Sequence, residues 1–351
     1  TRRVSDSTVP ENELRPKAWV RREWRLLAGL TLSAICLFLA ARGISAEALE
    51  SVLSVARWEW TLLAAVAVVA STFLKAVRWK ALFLPQRMRL SRVWSVFMVG
   101  QMLNLLLPAR AGELGRIYLM GKDERTNSAA ALSTVVAEKV VDLVMLSLAY
   151  LLVAVWLAVT PIGLPDWLRD AGTVLIPLTA FASLALLLFA RFGRSIWQFL
   201  GRGLKPLPAR WQAGMNALAE KTIDGLEAFT DGPARIQVWG WSLLIWMLMA
   251  LINGLLLPAF GLALSPFVAI LLLVVLISGV AVPPLPGNVG VSAYLCQLVL
   301  SLFGTDQETA FVYGVTVQIV VYLPLVALGS ICLLRENWSL RHAAPTSRPV
   351  P

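Results

Sequence analysis

Apolar residues along this chain fall in long unbroken blocks rather than in alternation. Blocks near the length of a membrane span recur at 26–41, 59–79, 129–159, 172–190, 236–257 and 309–334. About 20 helical residues rising ~1.5 Å each cross a ~30 Å hydrocarbon core, so six full transmembrane helices are predicted. Two further apolar stretches, 92–120 and 265–303, are interrupted midway: the first by Leu107-Pro108-Ala109-Arg110-Ala111-Gly112, the second by Pro284-Leu285-Pro286-Gly287-Asn288-Val289-Gly290. A proline removes a backbone donor and a glycine permits a tight reversal, so each stretch reads as a re-entrant helical hairpin.

Laid over each other at an offset of 178 residues, Leu107 meets Leu285, Pro108 meets Pro286 and Gly112 meets Gly290. The order span, span, hairpin, span then occurs twice, in 26–159 and again in 160–334. Three crossings separate corresponding elements, so the second set is inverted relative to the first. The expected fold is an all-α polytopic membrane protein of six spans and two hairpins, arranged as an inverted-topology repeat. Broken apolar segments at matching positions of two such halves are a pointer to a transporter's substrate site.

Composition agrees. Hydrophobic residues make up 58% and charged residues 15% of the 351, which is outside the range of soluble domains. Blocks of this length also exclude a barrel of alternating ten-residue strands. Residues 1–25 are polar and basic without a short apolar core and small-residue cleavage site, so no cleaved signal peptide is expected. Basic residues choose the orientation. Arg15, Lys17, Arg21, Arg22 and Arg25 precede the first block, Lys80, Arg87, Arg89 and Arg92 follow the second, and Arg191, Arg194, Arg202, Lys205 and Arg210 follow the fourth. By the positive-inside rule both tails, 1–25 and 335–351, are cytoplasmic. Hairpin 92–120 then enters from the cytoplasm and hairpin 265–303 from outside. The net charge of +10 fits anionic lipid headgroups better than nucleic acid, because the basic residues flank spans. Between spans four and five, Trp211, Met215, Leu218, Thr222, Leu226 and Phe229 recur at helical spacing, predicting an interfacial or span-packed helix over about 207–229.

Little catalytic chemistry is available. The single histidine, His342, is in the polar tail, and Cys36, Cys296 and Cys332 lie in apolar blocks without ligand spacing. No metal or cofactor is expected. The first hairpin gathers Gln101, Asn104, Arg110, Glu113 and Arg116 around its break. A helix starting near Ala111 would aim amides and its positive dipole end at the same place, which with Arg110 and Arg116 suits a phosphate; the alternative is that the arginines anchor at headgroup level. Glu138, Lys139 and Asp142 open an otherwise apolar span. Ionisable groups there cost ~2.5 kcal/mol or more each on insertion scales, so they face the protein interior or a watery cavity. Glu138 and Asp142 share a face, Lys139 can pair with Asp142 at a spacing of three, and salt bridges to Arg110 or Arg116 would close the cluster. A headgroup or proton site and a structural ion pair both remain open for it. The uncharged second hairpin offers Asn288, Ser292 and backbone groups at Pro284, Pro286, Gly287 and Gly290. Asn253, Gln318 and Tyr322 are expected to hydrogen-bond between helices.

The run Gly100, Asn104, Pro108, Arg110, Gly112, Glu113 and Arg116, followed by Glu138-Lys139 and Asp142, resembles the transmembrane region of lysylphosphatidylglycerol synthases and their stand-alone bacterial and archaeal relatives. Pro286-Gly287-Asn288-Val289-Gly290 is similar to that family's second Pro/Gly signature. The resemblance covers roughly 26–334. It implies a flippase that moves a polar lipid between leaflets of the bacterial cytoplasmic membrane, as the fused synthases do with aminoacylated phosphatidylglycerol. This chain carries no counterpart of their soluble synthase domain, so lipid synthesis is not implied. Two departures matter. Lys139 stands where the family often has Arg, and Val291, Ser292 and Ala293 stand where an acidic residue commonly follows the second motif. The substrate is therefore expected to be a phospholipid or lipid-linked sugar rather than a lysyl-type lipid. With no nucleotide-binding motif, movement would be downhill or ion-coupled. The alternatives are an accessory subunit of a lipid-modifying synthase or glycosyltransferase, docking through 211–229, and a membrane enzyme using Glu113, Glu138 or Asp142 as general base. A homo-oligomer is also left open.

Overall fold

A computed structural model of the chain describes residues 50, 54, 56–83, 88–106, 111–121, 126–203, 216, 220, 234–280 and 289–342. The predicted span 26–41, nearly all of the helix about 207–229, the tails 1–25 and 343–351, and Pro108, Arg110, Pro284, Pro286, Gly287 and Asn288 lie outside the described residues.

The described residues form nine α-helices and no strand. They are α1 (Trp58–Ala81), α2 (Leu90–Leu106), α3 (Ala111–Gly121), α4 (Ser128–Ala158), α5 (Asp166–Gly203), α6 (Ala234–Ala259), α7 (Pro266–Val280), α8 (Val289–Leu300) and α9 (Gln307–His342), with a 3₁₀ turn at Ser301–Phe303. Five of them, α1, α4, α5, α6 and α9, are long and apolar enough to cross a membrane. The 24 residues of α1 reach ~36 Å, more than the core thickness. The protein is a multi-pass helical membrane protein. Helix α5 begins earlier and ends later than the apolar block 172–190 that predicted it, because polar flanks continue the helical backbone past the block.

The two interrupted stretches each fold as a pair of short apolar helices, α2 with α3 and α7 with α8, on either side of the Pro/Gly segment. Glycine brings the first pair together. A side chain on Gly112 would overlap the Gly100 carbonyl oxygen and Asn104, and one on Gly100 would overlap the aliphatic stem of Arg116. Small residues allow such close backbone approach where lipid offers no hydrophobic drive.

Helices α1 and α6 pack on each other more extensively than any other pair. They run antiparallel: the Arg57 N–H donates to the Ala259 carbonyl at one end (2.8 Å), and Arg78 reaches Ser242 at the other (3.0 Å). Around them α9 packs against α2 and α8, and α4 packs against α3 and α7. Gly314 admits α8 at Ala293, and Gly329 admits α2 at Met98 and Met102. Trp156 of α4 stacks on Phe267 of α7 and on Phe303, tying the C-terminal end of α4 to the segment that precedes α9. Helix α5 leans on α4 through a Ser147–Thr179 hydroxyl contact (2.6 Å) and a Tyr150 hydroxyl bond to the Leu168 carbonyl (3.1 Å). Large apolar side chains such as Leu62, Phe73, Val155, Phe181, Met247 and Leu323 point outward, a surface suited to lipid rather than water.

Candidate functional site

Helix α1 carries three basic residues near its C-terminal end, Lys75, Arg78 and Lys80, and the first two are turned into the bundle. Arg78 is 1% exposed. Its guanidinium grips Asp142 of α4 at two points, Nη1 to Oδ1 at 2.6 Å and Nη2 to Oδ2 at 3.2 Å. Nη2 also stands 3.5 Å from Glu138 Oε1, and Nη1 donates to the Ser242 hydroxyl. That hydroxyl gives its own proton to the Val238 carbonyl, so it is free to accept. One guanidinium therefore links α1, α4 and α6. A planar five-donor fork can do this and a lysine cannot.

Arg116 of α3 completes the cluster, with Nη1 3.3 Å from Glu138 Oε2. It is also buried, and its guanidinium lies 4.9 Å from the Trp79 ring centre and 4.8 Å from that of Phe97. Trp79 is held in turn by its indole N–H bond to Thr134 (3.0 Å). A buried cation sandwiched by aromatic rings and tied to a carboxylate is fixed in place. The geometry gives Arg116 the role of an internal counter-charge for Glu138, not that of a group open to a lipid phosphate. The expected closure of the Glu138 cluster by Arg116 is present. The expected Lys139–Asp142 pair is not: Lys139 reaches Glu113 at 2.6 Å, because Arg78 already occupies both oxygens of Asp142. This third pair is the most exposed, with Lys139 at 42% and Glu113 at 20%.

Asn104 caps α3. Its Oδ1 accepts the Glu113 N–H at 3.2 Å, taking one of the amides that the sequence offered to a phosphate. Gln101 lies half-buried on α2, one turn before it.

Beside the ionic cluster a cavity of about 350 Å³ opens between α1, α6, α7, α8 and α9, with Leu105 closing it from α2. Its polar lining is Ser71, Thr72 and Lys75 from α1, Asn253 from α6, Ser292 from α8, and Gln318 and Tyr322 from α9. The predicted interhelical bonding is seen for Gln318, whose amide donates to the Ser292 hydroxyl; the Asn253 side chain instead donates to the Met249 carbonyl within α6, and the Asn253 main-chain carbonyl accepts from the Tyr313 hydroxyl. Of the sequence-predicted site residues, Arg116, Glu113, Glu138, Lys139 and Asp142 form the ionic cluster, and Ser292 alone lines the cavity. Gly112 and Gly290 are both buried beside their breaks. Lys75, Arg78 and Ser242 were not foreseen. Among the described residues no group of three His, Cys, Asp or Glu is placed to hold a metal ion.

A family model described as lysylphosphatidylglycerol synthase TM region matches residues 26–329, most of the chain. The chain belongs to that family. The match spans every element that builds the ionic cluster and the cavity, so both lie within the lysylphosphatidylglycerol synthase TM region. No curated protein and no solved structure matches the chain. The family takes its name from the membrane region of a lipid synthase, and the site here is built inside a helical membrane bundle.

Proposed function

We propose that this protein is a lipid translocase that carries a polar headgroup between leaflets of a bacterial cytoplasmic membrane while the acyl chains stay in lipid. The observation that carries the reading is the cavity itself. Polar side chains converge on it inside an apolar bundle, next to a cluster of ion pairs, where both interrupted segments contribute walls. Polar groups at such depth are costly unless they serve one another or a passing polar ligand. The substrate in this reading is a phospho- or glycolipid, with aminoacylated lipid as a further member of the class.

An inverted repeat supplies the movement. Exchanging α1 with α6, α2 with α7, α3 with α8 and α4 with α9 turns each packed pair of these helices into another packed pair. The antiparallel course of α1 and α6 agrees with that exchange. If block 26–41 supplies a further span, as the sequence predicts, the halves become 26–159 and 160–334, and rocking one against the other would expose the cavity to each leaflet in turn. Both tails are then cytoplasmic by the charge rule. The ion pairs hold α1, α3 and α4 in register during the motion, the Arg78–Ser242 hydrogen bond adds α6, and no bond in the lipid is made or broken.

The test is reconstitution of the full chain into vesicles carrying labelled phospholipid in one leaflet. Acceleration of its appearance in the other leaflet, with the lipid mass unchanged, is the expected result. Transfer no faster than in protein-free vesicles overturns the reading, and a changed lipid mass replaces it with catalysis.

A further inference from the structure

We infer that Trp156 is a latch: held between Phe267 and Phe303, its indole closes the cavity toward one face of the membrane and must leave the stack before the cavity opens there. The latch rests on the translocase reading, which gives that opening its purpose.

Polar ties lie within each half of the bundle. Arg78–Asp142, Arg116–Glu138 and Lys139–Glu113 join α1, α3 and α4 to one another. Gln318–Ser292 and Tyr313–Asn253 join α6, α8 and α9. Trp156 instead crosses from one half to the other. It stands near the C-terminal end of α4, and its ring lies almost parallel to that of Phe267 in α7, at 5.3 Å between centroids and 12° between planes. On Phe303 it stacks at 6.0 Å and 17°. Both separations are those of favourable ring pairs. Phe267 is near the start of α7 and Phe303 ends the 3₁₀ turn after α8, so one indole from the first half grips both ends of the second interrupted stretch. All three rings are only half-buried, so they can part without opening the core. Packed helices that slide past each other need contacts of this separable kind.

The stack stands between the cavity and one end of the bundle. Leu273, Leu276 and Ile277 of α7 line the cavity, and Phe267 lies ~9 Å nearer the helix start than Leu273. The opposite end is built differently. At the offset of 178 that matches the two interrupted segments, Trp156 corresponds to Leu334 and Phe267 to Arg89. Leu334 is 70% exposed and Arg89 is exposed as well. A leucine and an arginine form no ring stack, so the latch belongs to one face alone. By the charge rule that face is the outer one. A contact made in one arrangement and lost in the other biases a two-state element toward the arrangement that has it.

A reporter cysteine in the cavity, Ser292→Cys in the full chain, tests the latch through its rate of reaction with a membrane-impermeant maleimide. The chain without the reporter sets the background. With Trp156 intact, the reporter should react slowly in spheroplasts, where the outer face meets the reagent, and markedly faster in inverted vesicles. Trp156→Ala should raise the spheroplast rate roughly tenfold, as loss of two aromatic pairs from a two-state balance predicts. Trp156→Phe, which keeps a ring in the stack, should raise it far less. Equal rates from the two sides with Trp156 intact, or no rise in Trp156→Ala, overturns the inference; the two-sided comparison decides even if the variant does not fold. A second measurement locks the contact. In Trp156→Cys/Phe267→Cys, a short bis-methanethiosulfonate bridge should stop transfer of labelled phospholipid in vesicles, and reductant should restore it. Transfer that continues through the bridge overturns the latch and leaves the translocase reading standing. If maleimide rates follow Trp156 as expected while wild-type protein moves no lipid, the translocase reading fails and the latch stands.

Discussion

Arg78 and Asp142 form a two-point ion pair, 2.6 and 3.2 Å, between helices separated by 64 positions in sequence. Arg78 is 1% exposed and the Asp142 side chain 34%, so Arg78 has given up solvent and takes its counter-charge chiefly from Asp142, with Glu138 at 3.5 Å as the second partner. Breaking a buried pair by removing one member typically costs ~3–5 kcal/mol, since the remaining charge is stranded, whereas replacing both by apolar groups can be close to neutral. Asp142→Leu alone should therefore strongly lower the thermal unfolding midpoint in detergent. Adding Arg78→Met should recover a large part of the loss. A double-mutant cycle on the purified protein reads the coupling, and additive losses would show that the pair does not link the two helices energetically.

The Gly100–Gly112 crossing makes a sharper prediction about the α2–α3 pair. Gly112→Ala places a methyl against the Gly100 carbonyl and the Asn104 backbone, neither of which can rotate away. Overpacking of this kind costs roughly 1–3 kcal/mol or more. Gly240 on α6 faces open space, so Gly240→Ala should be neutral or slightly stabilising through helix propensity. Comparing melting of the two variants isolates the contact from the loss of glycine as such.

The helices were legible because lipid imposes a simple rule: blocks of apolar residues must be helical, and their lengths follow from bilayer thickness. Pro108 with Gly112, and Pro286 with Gly290, likewise marked where α2 gives way to α3 and α7 to α8. Glu138 and Asp142 were legible as inward-facing because charge in a span has nowhere else to go. Partner choice was less accessible. Lys139 is close to Asp142 on the helix surface, but Arg78 arrives from a distant part of the chain with better geometry and displaces it. Lys75 and Arg78 themselves sit just before Lys80, at the basic end of their block, where charge counting blends them with topology anchors. Their spacing of three, which puts both on one face inside block 59–79, was the available signal. Arg116 shows the converse: its charge was visible, but the Trp79 and Phe97 rings that enclose it come from two other helices.

The Lys139–Glu113 pair, though shorter than the Arg116–Glu138 contact, should matter less. Lys139 is 42% exposed, and partly exposed pairs contribute ~0–1 kcal/mol. Lys139→Ala should shift the unfolding midpoint little, while Arg116→Ala leaves Glu138 dependent on Arg78 alone and empties the space between two aromatic rings. A ranking of Arg116→Ala well below Lys139→Ala in stability is expected. Equal effects would mean that burial does not set the strength of these pairs.

Asp306 gives the protein a defined acid sensitivity outside the membrane spans. Partial burial tends to raise its carboxyl pKa, but the hydrogen bonds from Thr309, including the 2.8 Å bond from its backbone N–H, prevail and hold it below the usual carboxylate value. The carboxylate sits immediately before α9, where it satisfies an amide of the first turn and faces the positive end of the helix dipole. With the folded pKa depressed, the unfolded chain binds the proton more readily. The stabilisation is thus complete above the unfolded pKa of ~3.9 and is lost as pH falls through the folded value. Asp306→Asn retains a capping oxygen but has no proton to bind, so its stability should be flatter on the acid side than that of wild type. Melting curves of both proteins from neutral pH down to about pH 3 read the difference directly. The two curves should diverge least at the acid end, where the wild-type carboxylate is itself becoming neutral.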